Sequence, residues 1–119
     1  MQYVMLIYQG TTPLPSSDAW ANLSEEDRKA IYGDYQAINE TTGVTSGVPL
    51  GLPETATTVQ VQDGKTVRTD GPFIGEREAV GGYLVLEAND LDSAIELASR
   101  VPAARLGGAV EIRPSATYW

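Results

Sequence analysis

The chain contains no cysteine and no histidine. No disulfide can form in it, no thiolate can attack, and no imidazole can shuttle a proton or hold a metal. Zinc sets built from Cys and His are excluded, and so are Ser-His-Asp and Cys-His machines. The commonest general base near neutral pH is missing too. Basic residues are scarce: 8 Lys and Arg stand against 16 Asp and Glu, a formal net charge of −8. Nucleic acid and anionic membrane both call for a basic surface, so neither is expected as a direct partner. Long hydrophobic runs are absent as well. Val4-Met5-Leu6-Ile7 falls far short of the ~18 residues of a membrane span, and no Lys or Arg precedes it as in a signal peptide. Cytoplasmic residence is the resulting expectation. Nucleotide fingerprints and the calcium-binding EF-hand pattern are also missing, so no cofactor and no metal is implied.

What is there is a globular composition. Hydrophobic residues make up 42% of 119 positions, enough for one domain over residues 1–119 with a real core. Tyr3 to Tyr8 runs without a polar break and reads as a strand covered on both faces. Residues 11–22 carry loop chemistry, with Trp20 folding back onto the domain or lining a cleft. Ser24 offers an N-cap, Glu25, Glu26 and Asp27 suit the first turn, and Ile31, Tyr35 and Ile38 form an apolar stripe. A helix over about 24–41 follows, stopped by Gly43. Val44 to Leu52, broken by Gly and Pro, is at best a short edge strand. Thr57–Gln62 and Lys65–Thr69 flank Asp63-Gly64 and predict a tight hairpin. After the Asp70-Gly71-Pro72-Phe73 turn, Tyr83–Glu87 is a further strand. Asp90 caps a second helix with Leu91, Ala94, Ile95, Ala98 and Val101 buried and Pro102 as its stop. Ala109–Arg113 is the last strand.

The order β-α-β, hairpin, β-α-β predicts an α+β fold, the ferredoxin-like split βαβ with an inserted β-hairpin. Two helices cover only one face of such a sheet, yet the first strand is apolar on both parities. The open face therefore calls for a second copy, a ligand, or both. In the last strand Val110 and Ile112 share one parity and Glu111 and Arg113 the other, which sets Glu111 and Arg113 over the open face. That pair serves either as a structural ion pair or as an anchor for an anionic ligand. Arg105, just upstream, would add charge. Asp70 is either an Asx-type turn residue or a carboxylate base, and Glu78 either a solvated acid of the Glu76-Arg77-Glu78 run or a second base. Phe73, the only phenylalanine, reads as an anchor that plugs its loop into the core. Gly81-Gly82 fits strand entry or close approach to a ligand.

Thr69-Asp70-Gly71-Pro72-Phe73, Glu78, Gly81-Gly82-Tyr83, Pro102 and Val110-Glu111-Ile112-Arg113-Pro114 resemble the DGPF-domain proteins of the YCII-related group. The opening Tyr3–Tyr8 is similar as well, so the likeness covers nearly the whole chain outside the 10–20 loop. The resemblance implies a dimeric α/β barrel and says little of activity. Relatives in the group carry a His-Asp pair proposed as catalytic, and others are associated with extracytoplasmic-function sigma factors. This chain departs from the first pattern, having no His, and it has Gly75 where many members place a Glu. What matches residue by residue is Asp70, Glu78, Glu111 and Arg113.

Two functional expectations follow. One is a small-molecule-binding homodimer, an enzyme without cofactor in its stronger form. Asp70 or Glu78 would transfer protons in isomerase-like chemistry, Arg113 and Arg105 would hold an anionic substrate, and Phe73, Tyr83 and Glu111 would complete the binding set. The other is a regulatory protein acting with a sigma factor.

Overall fold

A computed structural model describes residues 1–119 apart from Ser16, Glu76, Arg77 and Trp119. The elements run β1 (Gln2–Tyr8), α1 (Asp18–Ala21), α2 (Glu25–Asn39), β2 (Val44–Ser46), a 3-10 turn (Pro53–Thr55), β3 (Thr57–Gln62), β4 (Lys65–Asp70), β5 (Val80–Glu87), α3 (Leu91–Ser99), α4 (Pro102–Arg105) and β6 (Ala109–Pro114). The fold is mixed α+β. Four strands form one sheet in the order β2-β5-β1-β6, antiparallel throughout, and β3 and β4 form a separate two-stranded hairpin. Among the described residues no closed barrel forms within the chain.

Local chemistry explains the helices. Ser24 Oγ accepts from Asp27 N at 3.0 Å, and Asp90 Oδ1 accepts from Ser93 N at 2.8 Å, each satisfying a donor that the helix start leaves free. Gly43 follows α2 at φ +90°, a conformation that costs a residue with a side chain and costs glycine little. Pro102 does not stop α3, as the sequence suggested. The helix closes at Arg100, and Pro102 instead opens α4, where its missing N–H is no loss.

Alternation sorts the sheet into two faces. Tyr3, Met5 and Ile7 of β1 and Leu84 and Leu86 of β5 are buried against Ile38 of α2 and Ala94, Leu97, Ala98, Val101 and Ala103 of α3, α4 and the turn between them. Leu97 takes the place expected for Leu91 and Ile95, which are about half exposed. Those two lie one helical face away, where no strand reaches them. Val4, Leu6 and Tyr8 point to the other side, where no helix lies, and are only half-buried. Val110 and Ile112 pair with Ile7 and Met5 on the core face, while Glu111 and Arg113 pair with Leu6 and Val4 on the open face, as the parity predicted.

The result is a slab of 49 × 42 × 19 Å with a radius of gyration of 16.1 Å. A compact chain of this length has about 13–14 Å. The excess comes from the open face and from the hairpin, whose Val59 and Val61 are exposed. At the sheet margins β2 is three residues long and runs into a Gly/Pro segment, and β6 ends on Pro114. No described helix is long and apolar enough to cross a membrane.

Candidate functional site

The main cavity lies on the helix side of the sheet. Its volume is about 640 Å³, within the range of about 300–1,000 Å³ typical of ligand pockets. Four elements enclose it. The core face of β1 and β5 forms the floor, with Ile7, Gly82 and Leu84. One wall is the α2 stripe of Ile31, Tyr35 and Ile38, and the others are the 12–20 loop and the 47–52 segment.

The floor explains why there is a cavity. Leu86, Leu84 and Gly82 lie in one row of β5, opposite Tyr3, Met5 and Ile7. The first two fill the core, and Gly82 supplies no side chain. A Cβ built there meets nothing within 4 Å, so the core ends at Gly82 and open space begins. Gly81 has a different role: a Cβ there would strike the Gln9 side chain, which lies across it.

The walls follow from short-range bonds. Ser17 caps α1, accepting from Trp20 N at 3.1 Å and donating to Leu14 O at 2.6 Å. That turn sets Trp20 over the cavity, edge-on to Tyr32 with ring centroids 5.3 Å apart and planes at 76°, a favoured aromatic geometry. Trp20 thus lines a cleft, one of the two roles expected of it. The 47–52 segment continues alongside β5 through Gly47 N to Tyr83 O at 3.0 Å and Leu50 N to Gly81 O at 3.2 Å. Gly47 leaves room for the Tyr83 ring, which a Cβ would strike. Ser46 Oγ donates to Asn39 Oδ1 and ties β2 to α2 at the rim.

Charge is absent from the described lining. The polar groups at one end are Gln9 and Thr12, drawn together by a turn in which Thr12 N donates to Gln9 O at 2.9 Å. Thr12 is 8% exposed, and its Oγ1 and Gln9 Oε1 are closed off from solvent, with no hydrogen bond among the described residues. Burial pushes the Tyr35 phenol above its ordinary pKa while the Arg105 charge pulls it down. Tyr35 therefore stays a neutral phenol at physiological pH.

Of Asp70, Phe73, Glu78, Tyr83, Arg105, Glu111 and Arg113, Tyr83 alone borders this cavity, and its ring, in register with Leu6, lies over Gly47 on the other face of the sheet. Asp70 closes β4 with its side chain 93% exposed, 3.9 Å from Arg68. Glu78 is exposed, with its carboxylate over Gly75, whose missing Cβ makes room for it. Glu76 and Arg77 lie outside the described residues. Phe73 does not plug the core: it is 74% exposed and borders a second, shallower apolar hollow of about 470 Å³ shared with Leu50 and Leu52. Arg113 Nε donates to Glu111 Oε2 at 2.6 Å on the open face, a bond that raises the guanidinium's pKa. Arg105 donates to Asp34 on the helix side. The two arginines are thus on opposite sides of the sheet and each is matched by a carboxylate. They form no cluster, contrary to the expectation from their spacing. Asp70, Glu78 and Arg113 border neither cavity within one chain.

Gln9, Thr12 and Tyr35 were not singled out as site residues. Tyr35 was visible only as part of a helical stripe, and two polar residues after a strand look like ordinary loop.

A protein of Rhizobium meliloti (strain 1021), itself uncharacterized, is 28% identical over 123 residues, covering 99% of this chain and 94% of the relative. The model of the YCII-related domain matches residues 1–116. With that match spanning every element described above, the chain belongs to the YCII-related family.

Proposed function

We propose that the chain is a small-molecule-binding domain that works as a homodimer, with its binding site in the helix-side cavity. The observation that carries this reading is the space beyond Gly82: a core-facing strand position is left without a side chain, and the aromatic residues Trp20 of α1 and Tyr32 and Tyr35 of α2 line the same cavity. A cavity of this kind, largely apolar with a few convergent polar groups, is the usual form of a ligand site.

The order β2-β5-β1-β6, with a helix between β1 and β2 and another between β5 and β6, supports a ferredoxin-like architecture carrying the hairpin as an insert. The apolar open face, with Val4, Leu6, Tyr8 and Val85 half-buried, supports a second copy packed sheet to sheet as a dimeric barrel. The Asp70-Gly71-Pro72-Phe73 motif supports the DGPF branch of the family. Binding is favoured over catalysis because Asp70 and Glu78 are exposed and border neither cavity. A role with a sigma factor draws its support from the resemblance alone.

The test uses N-phenyl-1-naphthylamine, a neutral dye that brightens in apolar pockets. The wild-type protein is expected to take it up saturably, one per chain. Gly82→Val sets a branched side chain into the open space beyond Gly82 and is expected to weaken uptake about tenfold or more while the circular dichroism spectrum is unchanged. Equal uptake by a folded Gly82→Val protein would place dye binding elsewhere and overturn the reading.

A further inference from the structure

We infer that the cavity selects by charge: it takes uncharged, largely apolar molecules and turns away anions and cations of the same size. This rests on the proposed binding role of the cavity and specifies the chemical class of its ligand. It departs from the anionic substrate expected from Arg105 and Arg113.

The side chains of the lining lead there first. No described lining residue is charged. An ion that enters leaves its hydration behind, and no lining side chain of opposite sign meets it. Arg105, whose charge reaches Tyr35, is held by Asp34, a pair that leaves neither sign in excess. Arg113 is held by Glu111 on the open face. Aromatic faces can attract a cation. Here Trp20 and Tyr32 meet edge to face, so one of the faces a cation would use is already occupied.

Uncharged donors that could hold an anion are scarce too. Gln9 Oε1 and Thr12 Oγ1 are closed off from solvent and offer an incoming molecule nothing. Pro13, Pro15 and Pro49, in the two lining loops, have no N–H. Thr12 N, Gly47 N and Leu50 N already donate to Gln9 O, Tyr83 O and Gly81 O. At the rim Ser46 Oγ donates to Asn39 Oδ1.

What remains is apolar surface. Ile7, Leu14, Ile31, Ile38 and Leu52 line the cavity beside Trp20 and Tyr35. Removal of apolar area from water is then the main force for entry. It acts unopposed on an uncharged molecule, whereas a charged one must first be stripped of its water.

The probes share one frame: methyl biphenyl-4-carboxylate, biphenyl-4-carboxylate and biphenyl-4-yltrimethylammonium. Each is titrated at neutral pH into the full-length protein carrying isotope-labelled isoleucine methyl groups, so that Ile31 and Ile38 report from the cavity wall by NMR. The ester is expected to shift both residues and to bind about a hundredfold more tightly than either ion. Gly82→Val is expected to weaken the ester about tenfold or more. The wild-type comparison stands even if that variant folds poorly. Shifts of Ile31 and Ile38 by either ion, with an affinity within about tenfold of the ester, would overturn the ligand class and leave the cavity as a binding site. Failure of all three probes to shift Ile31 and Ile38 would overturn the binding role as well.

Discussion

Single residues at helix starts carry an electrostatic signature that can be read in solution. Asp90 accepts from the Ser93 backbone N–H, and that bond, together with the Ser93 side chain, lowers its pKa below the ordinary carboxylate range. A carboxyl with a lowered folded pKa stabilises above its unfolded pKa and stops doing so as pH falls through the folded value. Wild type should therefore exceed Asp90→Ala in stability at neutral pH, and the gap should close in acid. Urea unfolding at a series of pH values checks this. Caps of this kind were legible, since Ser24 and Asp90 need only local bonds. Gly82 was not. Its meaning is an absent side chain in a row completed by β1, and no stretch of contiguous sequence shows which glycine faces open space.

At the level of elements, the hairpin separates from the rest. β3 and β4 bond only to each other as strands, and Gly71 N to Ala56 O at 2.8 Å and Thr58 Oγ1 to Gly71 O at 2.8 Å close the hairpin at its own base. Two strands alone are marginal in water. Backbone amides of β3 and β4 should exchange with solvent well before those of β1 and β5, which hold the core. Gly64→Ala sharpens the contrast. Gly64 sits at φ +74°, so a side chain costs about 1–2 kcal/mol there. The expected outcome is faster exchange confined to the hairpin, with the cooperative unfolding midpoint nearly unchanged. The hairpin was fully legible because Asp63-Gly64 and the alternation around it are local. The α3 stripe was misread at Leu91 and Ile95 because periodicity shows that a helix has an apolar face but not where the sheet meets it. Pro102 was misread for a related reason: a proline ends one helix or begins another according to the turn before it.

For the whole molecule, the proposed pairing of open faces makes a direct claim about mass. Sedimentation should give twice the mass of one chain, and Leu6→Glu, which sets a charge in the middle of the apolar face, should give one. Burying an unpaired carboxylate costs several kcal/mol, more than enough to separate a standard interface at micromolar protein. Sedimentation of the wild type as a single chain would remove the dimer. The uncovered face was legible from two parities of apolar residues in Tyr3–Tyr8, a pattern that needs no knowledge of neighbours. The location of the cavity was not, because it depends on how the 12–20 loop, α2 and the 47–52 segment converge.

The margins of the sheet limit what such pairing can become. A strand edge invites another strand unless it is short, bent or closed by proline. Here one edge offers three residues before it dissolves into glycine and proline, and the other stops at Pro114. Growth sideways, one sheet adding to the next, is thereby discouraged at both ends. Contact between broad faces related by a two-fold axis uses the same patch on each partner and leaves none over. Association of the proposed kind would therefore have a last member.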